Sequence, residues 1–263
     1  MNLPLKKNNP IWNKQWLGLF GSLGIFLFLT TCQSEVVEDT RVLGFQYYPL
    51  EIGRFVEYEV ELITYSLSAP RETITNYQLR EELAAAFVDV NGEVAYRLER
   101  YKRDNVTQAW SLDSTWSVRR NNFNLTRNEN SQVFVKLAFP VKDGLQWNGN
   151  LYNNYNKATY SIQNFGKPLT INGIDFPLTL TVFRNDECSA VSMDYRSEIF
   201  AENVGIIQKH DWQIKYVMQG TCTGIINNYC DTDIKAPLPN KPNPDCVQSG
   251  RIYTQKMINY GIR

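Results

Sequence analysis

Thiols, one imidazole and a few neighbouring carboxylates are the residues of this chain whose types could do chemistry. Five cysteines, at positions 32, 188, 222, 230 and 246, divide by position into one plus four. In an exported chain, an even set of four suits two disulfides, for which three connectivities exist. Cys222 follows the strand-like run Trp212–Met218 and Cys246 precedes the strand-like run Arg251–Ile258. That placement predicts a bridge closing the loop between them, leaving Cys188 to reach Cys230. The rival use of these thiols is a zinc site, but they lack a close cysteine pair and the one histidine is His210. No metal is expected.

Catalytic chemistry has little to stand on. The chain has no Gly-x-Ser-x-Gly elbow, so a Ser or Cys nucleophile would depend on His210 or a lysine as base. Flanked by Lys209 and Asp211 ahead of Trp212, His210 reads as a solvated strand or turn residue. Glu81/Glu82 and Glu198/Glu202 offer carboxyl pairs of the kind glycosidases oppose across a bond, yet Glu is ordinarily exposed and these read as surface charge. Asp231 and Asp233, with Asn228, Asn243 or Asp245, could offer hard oxygen ligands to calcium; the EF-hand pattern is absent and solvated loop acids are the expectation. Phosphate cradles and dinucleotide fingerprints are also missing, so no cofactor and no catalytic residue are expected. Tyr152, Tyr155 and Tyr160 stand among Asn150, Asn153, Asn154 and Asn156, a mixture that suits a sugar platform or plain turn chemistry.

The fifth thiol carries an address. Lys6, Lys7 and Lys14 precede an apolar stretch from Trp16 to Leu29, and no acid occurs before Glu35. This is the charge order of a secretory signal, and the run is short for a bilayer span of roughly 20 residues. The sequence Leu29-Thr30-Thr31-Cys32 resembles a bacterial lipobox, with Thr31 where such signals usually have Gly, Ala or Ser. The resemblance implies a signal peptide over residues 1–31 and a fatty-acyl chain, such as palmitate, on Cys32. Residues 32–45 then form a short tether, in which Glu35, Glu38 and Asp39 resemble the acidic export signals of Bacteroidota surface lipoproteins. The expected place is the outer membrane, held through the N-terminal lipid, or the cell surface. Without residues 1–31 the chain keeps 24 of its 27 basic residues against 27 acids, a charge of −3. Nucleic acid needs clustered phosphate contacts and is not an expected partner.

The elements that would position these residues are strands. In Arg54–Ile63, Val56, Tyr58, Val60 and Leu62 alternate with Glu57, Glu59 and Glu61, giving one buried and one wet face. Ala86–Val90 and Glu93–Lys102 flank Asn91-Gly92, a pair suited to a type I′ hairpin. Trp110, Leu112, Trp116 and Val118 share a side of the next run, and Val133, Val135, Leu137 and Phe139 a side of another. Five further runs, Thr73–Leu83, Phe123–Asn128, Ala158–Phe165, Phe176–Asn185 and Ala190–Phe200, precede a final one at Val204–Val217; Glu81–Phe87 could wind into a helical turn. Polar turns between consecutive strands predict a single all-β domain over residues 46–263, an antiparallel, strongly curved sheet or incomplete barrel. Pro237, Pro239, Pro242 and Pro244 break it with a loop at 220–250. Tyr48-Pro49-Leu50, then Gly53 and Phe55, is echoed by Phe139-Pro140-Val141, then Gly144 and Trp147, as two similar halves would be.

Tyr47-Tyr48-Pro49-Leu50…Gly53…Tyr58 and Glu198-Ile199-Phe200-Ala201-Glu202-Asn203-Val204-Gly205-Ile206-Ile207 resemble recurring motifs of uncharacterised Bacteroidota lipoproteins. The likeness spans residues 45–219 and implies an envelope address and a β scaffold; it transfers no catalytic residue. The expected role is non-enzymatic: binding, assembly or structural support, with an envelope protein as partner. The alternative is a carrier or sensor of an apolar ligand in the concave face, with hydrolysis the least supported reading.

Overall fold

The computed structural model describes residues 40–90, 92–189, 191–217 and 242–263. Twelve antiparallel strands follow one another along the chain: β1 (Arg54–Tyr65), β2 (Glu72–Val88), β3 (Val94–Arg103), β4 (Ser111–Arg120), β5 (Asn124–Glu129), β6 (Gln132–Ala138), β7 (Gln146–Asn148), β8 (Thr159–Ile171), β9 (Ile174–Cys188), β10 (Ser192–Ala201), β11 (Gly205–Tyr216) and β12 (Val247–Ile262). They form one sheet in the order β6-β5-β4-β3-β2-β1-β12-β11-β10-β9-β8-β7. Every pair of chain neighbours except β6 and β7 is hydrogen-bonded, and β1 joins β12 along a ladder from Arg54↔Ile262 to Tyr65↔Gly250 with one register shift at Glu57/Tyr58. The sheet curls until its edges, β6 and β7, face each other in a nearly closed barrel. At this seam the Val135 N–H donates to Gly149 O, Trp147 Nε1–H to Val135 O and Asn153 Nδ2–H to Val133 O, each at 2.9 Å. Loop groups thus satisfy an edge that would otherwise invite another chain.

The opening motif of each half lands in an equivalent place. Tyr48-Pro49 precedes β1 and Phe139-Pro140 precedes β7, each ahead of six strands, and both rings are buried in one cluster. Gly53 and Gly144 take positive φ, 86° and 73°, and donate to the second strand of their halves, Gly53 to Leu83 O and Gly144 to Ile162 O. At Gly53 a Cβ would also stand 2.8 Å from the Arg263 carbonyl, so glycine alone fits where the entry to β1 meets the end of β12.

Several local expectations change. Thr73–Leu83 and Ala86–Val90 belong to one strand, β2, so the stretch 81–87 is not helical. A register shift between Leu83 and Ala85 explains why it loses clean alternation. The hairpin at 91–92 is present, but Asp89 pairs with Glu93 around a longer loop with Gly92 at φ 80°, which is not a two-residue I′ turn. Leu112 is exposed rather than sharing the core side of Trp116 and Val118. Residues before 46 also pack on the barrel: a helical turn, α1 (Thr40–Leu43), leads to Leu43 O accepting from Val141 N–H and Phe45 packing on Phe139. The long loop likewise ends sooner, because Pro244–Cys246 forms a 3-10 turn and β12 starts at Val247.

Residues 43–50 plug one end of the barrel, called the base here. Arg120 donates to the carbonyls of Phe45 and Tyr48, the Asn203 N–H donates to Gln46 O, and Tyr48 leans on Phe200. Leu83, Leu98, Val118, Leu125, Leu137, Ile162, Leu180, Val182 and Phe200 fill the interior above this plug. The other end, the mouth, carries the β1–β2, β3–β4, β5–β6 and β9–β10 turns and both flanks of the long loop, whose base is closed by Val217 N–H to Cys246 O.

Candidate functional site

Directly above the apolar base lies a layer of ion pairs that spans the barrel. Glu81 of β2 takes a bidentate hydrogen bond from Arg127 of β5, at 3.2 and 2.9 Å, and another from Arg100 Nε of β3 at 3.1 Å. Arg127 Nε also sits 3.2 Å from Glu129, which accepts from Lys136 Nζ of β6 at 3.1 Å. The same ammonium donates across the interior to Glu198 of β10, whose Oε1 is further approached by Arg184 of β9 at 3.5 Å and Lys209 of β11 at 3.6 Å. Three carboxylates and five cations thus make one chain of charge from β2 to β11. Rings seat the cations: Arg100 and Arg127 lie over Trp116, and Arg184 over Tyr160 and Phe134.

Local geometry explains how these side chains turn inward. Glu81 and Leu83, Arg100 and Leu98, Arg127 and Leu125, and Glu198 and Phe200 are each two residues apart, so strand alternation aims both members of a pair at the interior. Lys136 and Arg184 arrive by bulges. Leu137 pairs with Leu125 while Val135 pairs with Thr126, leaving Lys136 as the extra residue; Arg184 is likewise extra between the Ser197↔Phe183 and Arg196↔Asn185 pairs. The same bulge separates Val135 from the side of Leu137 that regular alternation would give it.

The fields in this layer are strong. Burial would raise the Glu198 carboxyl, but Lys136, then Lys209 and Arg184, hold it down at about 2. Glu81 is lowered against burial by Arg127 and Arg100, and Glu129 lies well below the carboxylate range through Lys136, Lys209 and Arg127. Burial lowers the Lys209 ammonium despite Glu129 and Glu198. Nearer the mouth, Asp211 accepts from Arg251 at 2.7 Å, and Arg196 donates to both oxygens of Asp194.

Glu81 and Glu198 are accordingly not the surface charges read from sequence; they are 7% and 1% exposed and anchor the layer. Neither opposes its sequence neighbour, since Glu82 turns to Arg80 and Glu202 sits in the β10–β11 turn. His210 is not solvated either. It lies on the opposite face of β11 from Lys209, packed against Tyr195 and Trp212 with Nε2 2.9 Å from Gln208 Nε2, and burial ahead of the Lys256 charge pushes its pKa down to about 4. The Tyr/Asn group is divided: Tyr160 is core, Tyr155 stacks on Phe134, and the amides serve the seam loop, Asn148 capping Asn150 and Ala158 while Asn150 holds Asn156 O. Asn243 caps the 3-10 turn by accepting from Asp245 N–H, and Asp245 approaches Arg71. Among the described residues no cluster of His, Cys, Asp and Glu is arranged to hold a metal.

Cys188 ends β9 and Cys246 ends the 3-10 turn, both at the mouth. Cys32, Cys222, Cys230, Asn228, Asp231 and Asp233 fall outside the described residues. The pairing of the cysteines therefore stays a proposal.

No protein-family model matches the chain, and no curated protein is significantly similar to it. A solved structure from Bacteroides fragilis, described as a candidate exported protein with a YmcC-like fold, shares 11% identity at a TM-score of 0.39, covering 81% of this chain and 97% of that one. A likeness this distant assigns neither family nor activity.

Proposed function

We propose that this is a lipid-anchored envelope protein, non-enzymatic, whose barrel is a rigid scaffold for binding or assembly at its mouth. The observation that carries the reading is the polarity of the barrel. The chain enters through the plugged base, eight residues after Cys32, while Cys188, Cys246 and the long loop's flanks gather at the opposite end. An acyl chain on Cys32 would hold the protein by its base and present the mouth to partners, and loops on a rigid scaffold are where recognition commonly resides. Absence of catalysis is supported by the commitments of the carboxylates: Glu81, Glu129 and Glu198 each answer buried cations. An apolar cargo has less support, because side chains of the core and the ion-pair layer occupy the concave face among the described residues.

Cys32→Ser tests the anchor: the variant is expected to leave the membrane fraction or remain an uncleaved precursor. Equal incorporation of radiolabelled fatty acid by variant and wild type would overturn it. Proteinase added to intact cells tests the address, with digestion expected for a surface protein and protection, against digested lysed controls, for one facing the periplasm. Cross-linking in whole cells then asks for the partner, with links expected at mouth loops.

A further inference from the structure

One group of large exposed apolar side chains lies at the base. Phe87, Val88, Val90 and Val94 all project from the tip of the β2–β3 hairpin, with Val90 fully exposed; Phe123 is 74% exposed at the neighbouring β4–β5 turn, and Ile52 lies beside the chain's entry into β1. Exposed apolar residues scattered singly are ordinary, but a group of them marks a contact site. At the mouth Leu67, Val106 and Val191 stand on separate loops, and the one group there, Leu151, Tyr152 and Tyr155 between β7 and β8, is the seam loop, with Tyr155 stacked on Phe134.

Ion pairing at the base halves the charge that this tip carries. Its two acids, Asp89 and Glu93, share Arg119 of β4, at 2.9 and 2.5 Å, which leaves the group one net negative charge and ties the hairpin to the strand leading to Phe123. We infer that the base is a membrane-contact face, resting on the lipid surface with the β2–β3 tip and Phe123 at the boundary between headgroups and acyl chains. The occupant follows from covalent continuity: Thr40 belongs to the base, and eight residues from Cys32 span at most about 28 Å, so an anchored chain keeps this end within reach of the bilayer. Apolar side chains flanked by aromatic rings are what that boundary accepts. The inference rests on the anchored reading for its occupant and adds an orientation, with the barrel standing on its base.

The test places tryptophan at Val90→Trp, Phe123→Trp and, as the mouth control, Val106→Trp, in full-length protein purified from membranes and reconstituted in phosphatidylethanolamine/phosphatidylglycerol vesicles with or without brominated acyl chains. Emission added at positions 90 and 123 is expected to be quenched about twofold or more beyond that at 106. Equal quenching at all three sites would overturn the contact face. Mass spectrometry of the same preparation separates the two readings. An acylated chain with unquenched 90 and 123 keeps the anchor and loses the contact face. An unacylated chain loses the anchor, and quenching is then read with vesicles added to it, where the same comparison decides.

Discussion

The base of this barrel and the layer directly above it are built from the same strands yet filled by opposite chemistry. β10 supplies Phe200 to the base and Glu198 two residues higher; β5 supplies Leu125 and Arg127, β2 supplies Leu83 and Glu81, and β3 supplies Leu98 and Arg100. In the base, burial stabilises each side chain directly, by about 1.5–3 kcal/mol for a large apolar group. In the layer above, desolvating a charge costs several kcal/mol and only its partners across the barrel offset it. The comparison teaches that the base tolerates loss in proportion to volume, whereas the layer responds to which partner is lost.

The largest expected effect is on that second rule. Glu198→Ala strands Lys136, Arg184 and Lys209 around one vacated position and should cost about 3–5 kcal/mol in urea unfolding. The double replacement Glu198→Leu with Lys136→Met should cost less than Glu198→Ala, since it removes a cation with its anion. A double variant as unstable as the single one would sink the account of the layer. In the base, Leu137→Ala should cost about 2–5 kcal/mol, with an increment that follows the cavity left behind.

Acid should separate the regions next. The folded His210 titrates near 4 against 6.5 when free, so between those values the unfolded chain binds the additional proton and stability falls as pH drops, by about 3 kcal/mol in all. Glu198, near 2 folded against 4.5 free, continues the loss from pH 4.5 downward. Urea midpoints at pH 7, 5 and 3 measure both steps. His210→Gln should flatten the first and leave the second; a midpoint that still falls between pH 6.5 and 4.5 would assign it elsewhere. The smallest effect belongs to the seam, where Tyr155→Ala removes one exposed ring stacked on Phe134 and should shift stability by less than about 1.5 kcal/mol.

Much of the scaffold was legible in the residues. Alternation in Arg54–Ile63 marks β1, Asn91-Gly92 marks a hairpin, and the repeated aromatic-Pro…Gly pattern marks the start of each half. These signals are local: period-two burial, positive φ at glycine and the fixed φ of proline all act within a few residues. The ion-pair layer had no such signal. Glu81 and Glu198 sit in ordinary strand positions, and their partners lie 46 and 62 residues away at Arg127 and Lys136. Nothing in a window around either glutamate announces a cation from across a barrel.

What the sequence by itself determined is an all-β antiparallel meander, because each strand's faces and each turn are set by neighbours in the chain. Tertiary structure alone decided which charges go inside. Closure of the sheet brings β5 opposite β2 and β6 opposite β10, and bulges at Lys136 and Arg184 turn inward two cations that regular alternation did not place. Only then does Glu198 have partners enough to be worth burying, since the energy of a buried charge is fixed by what stands across from it and not by what precedes it.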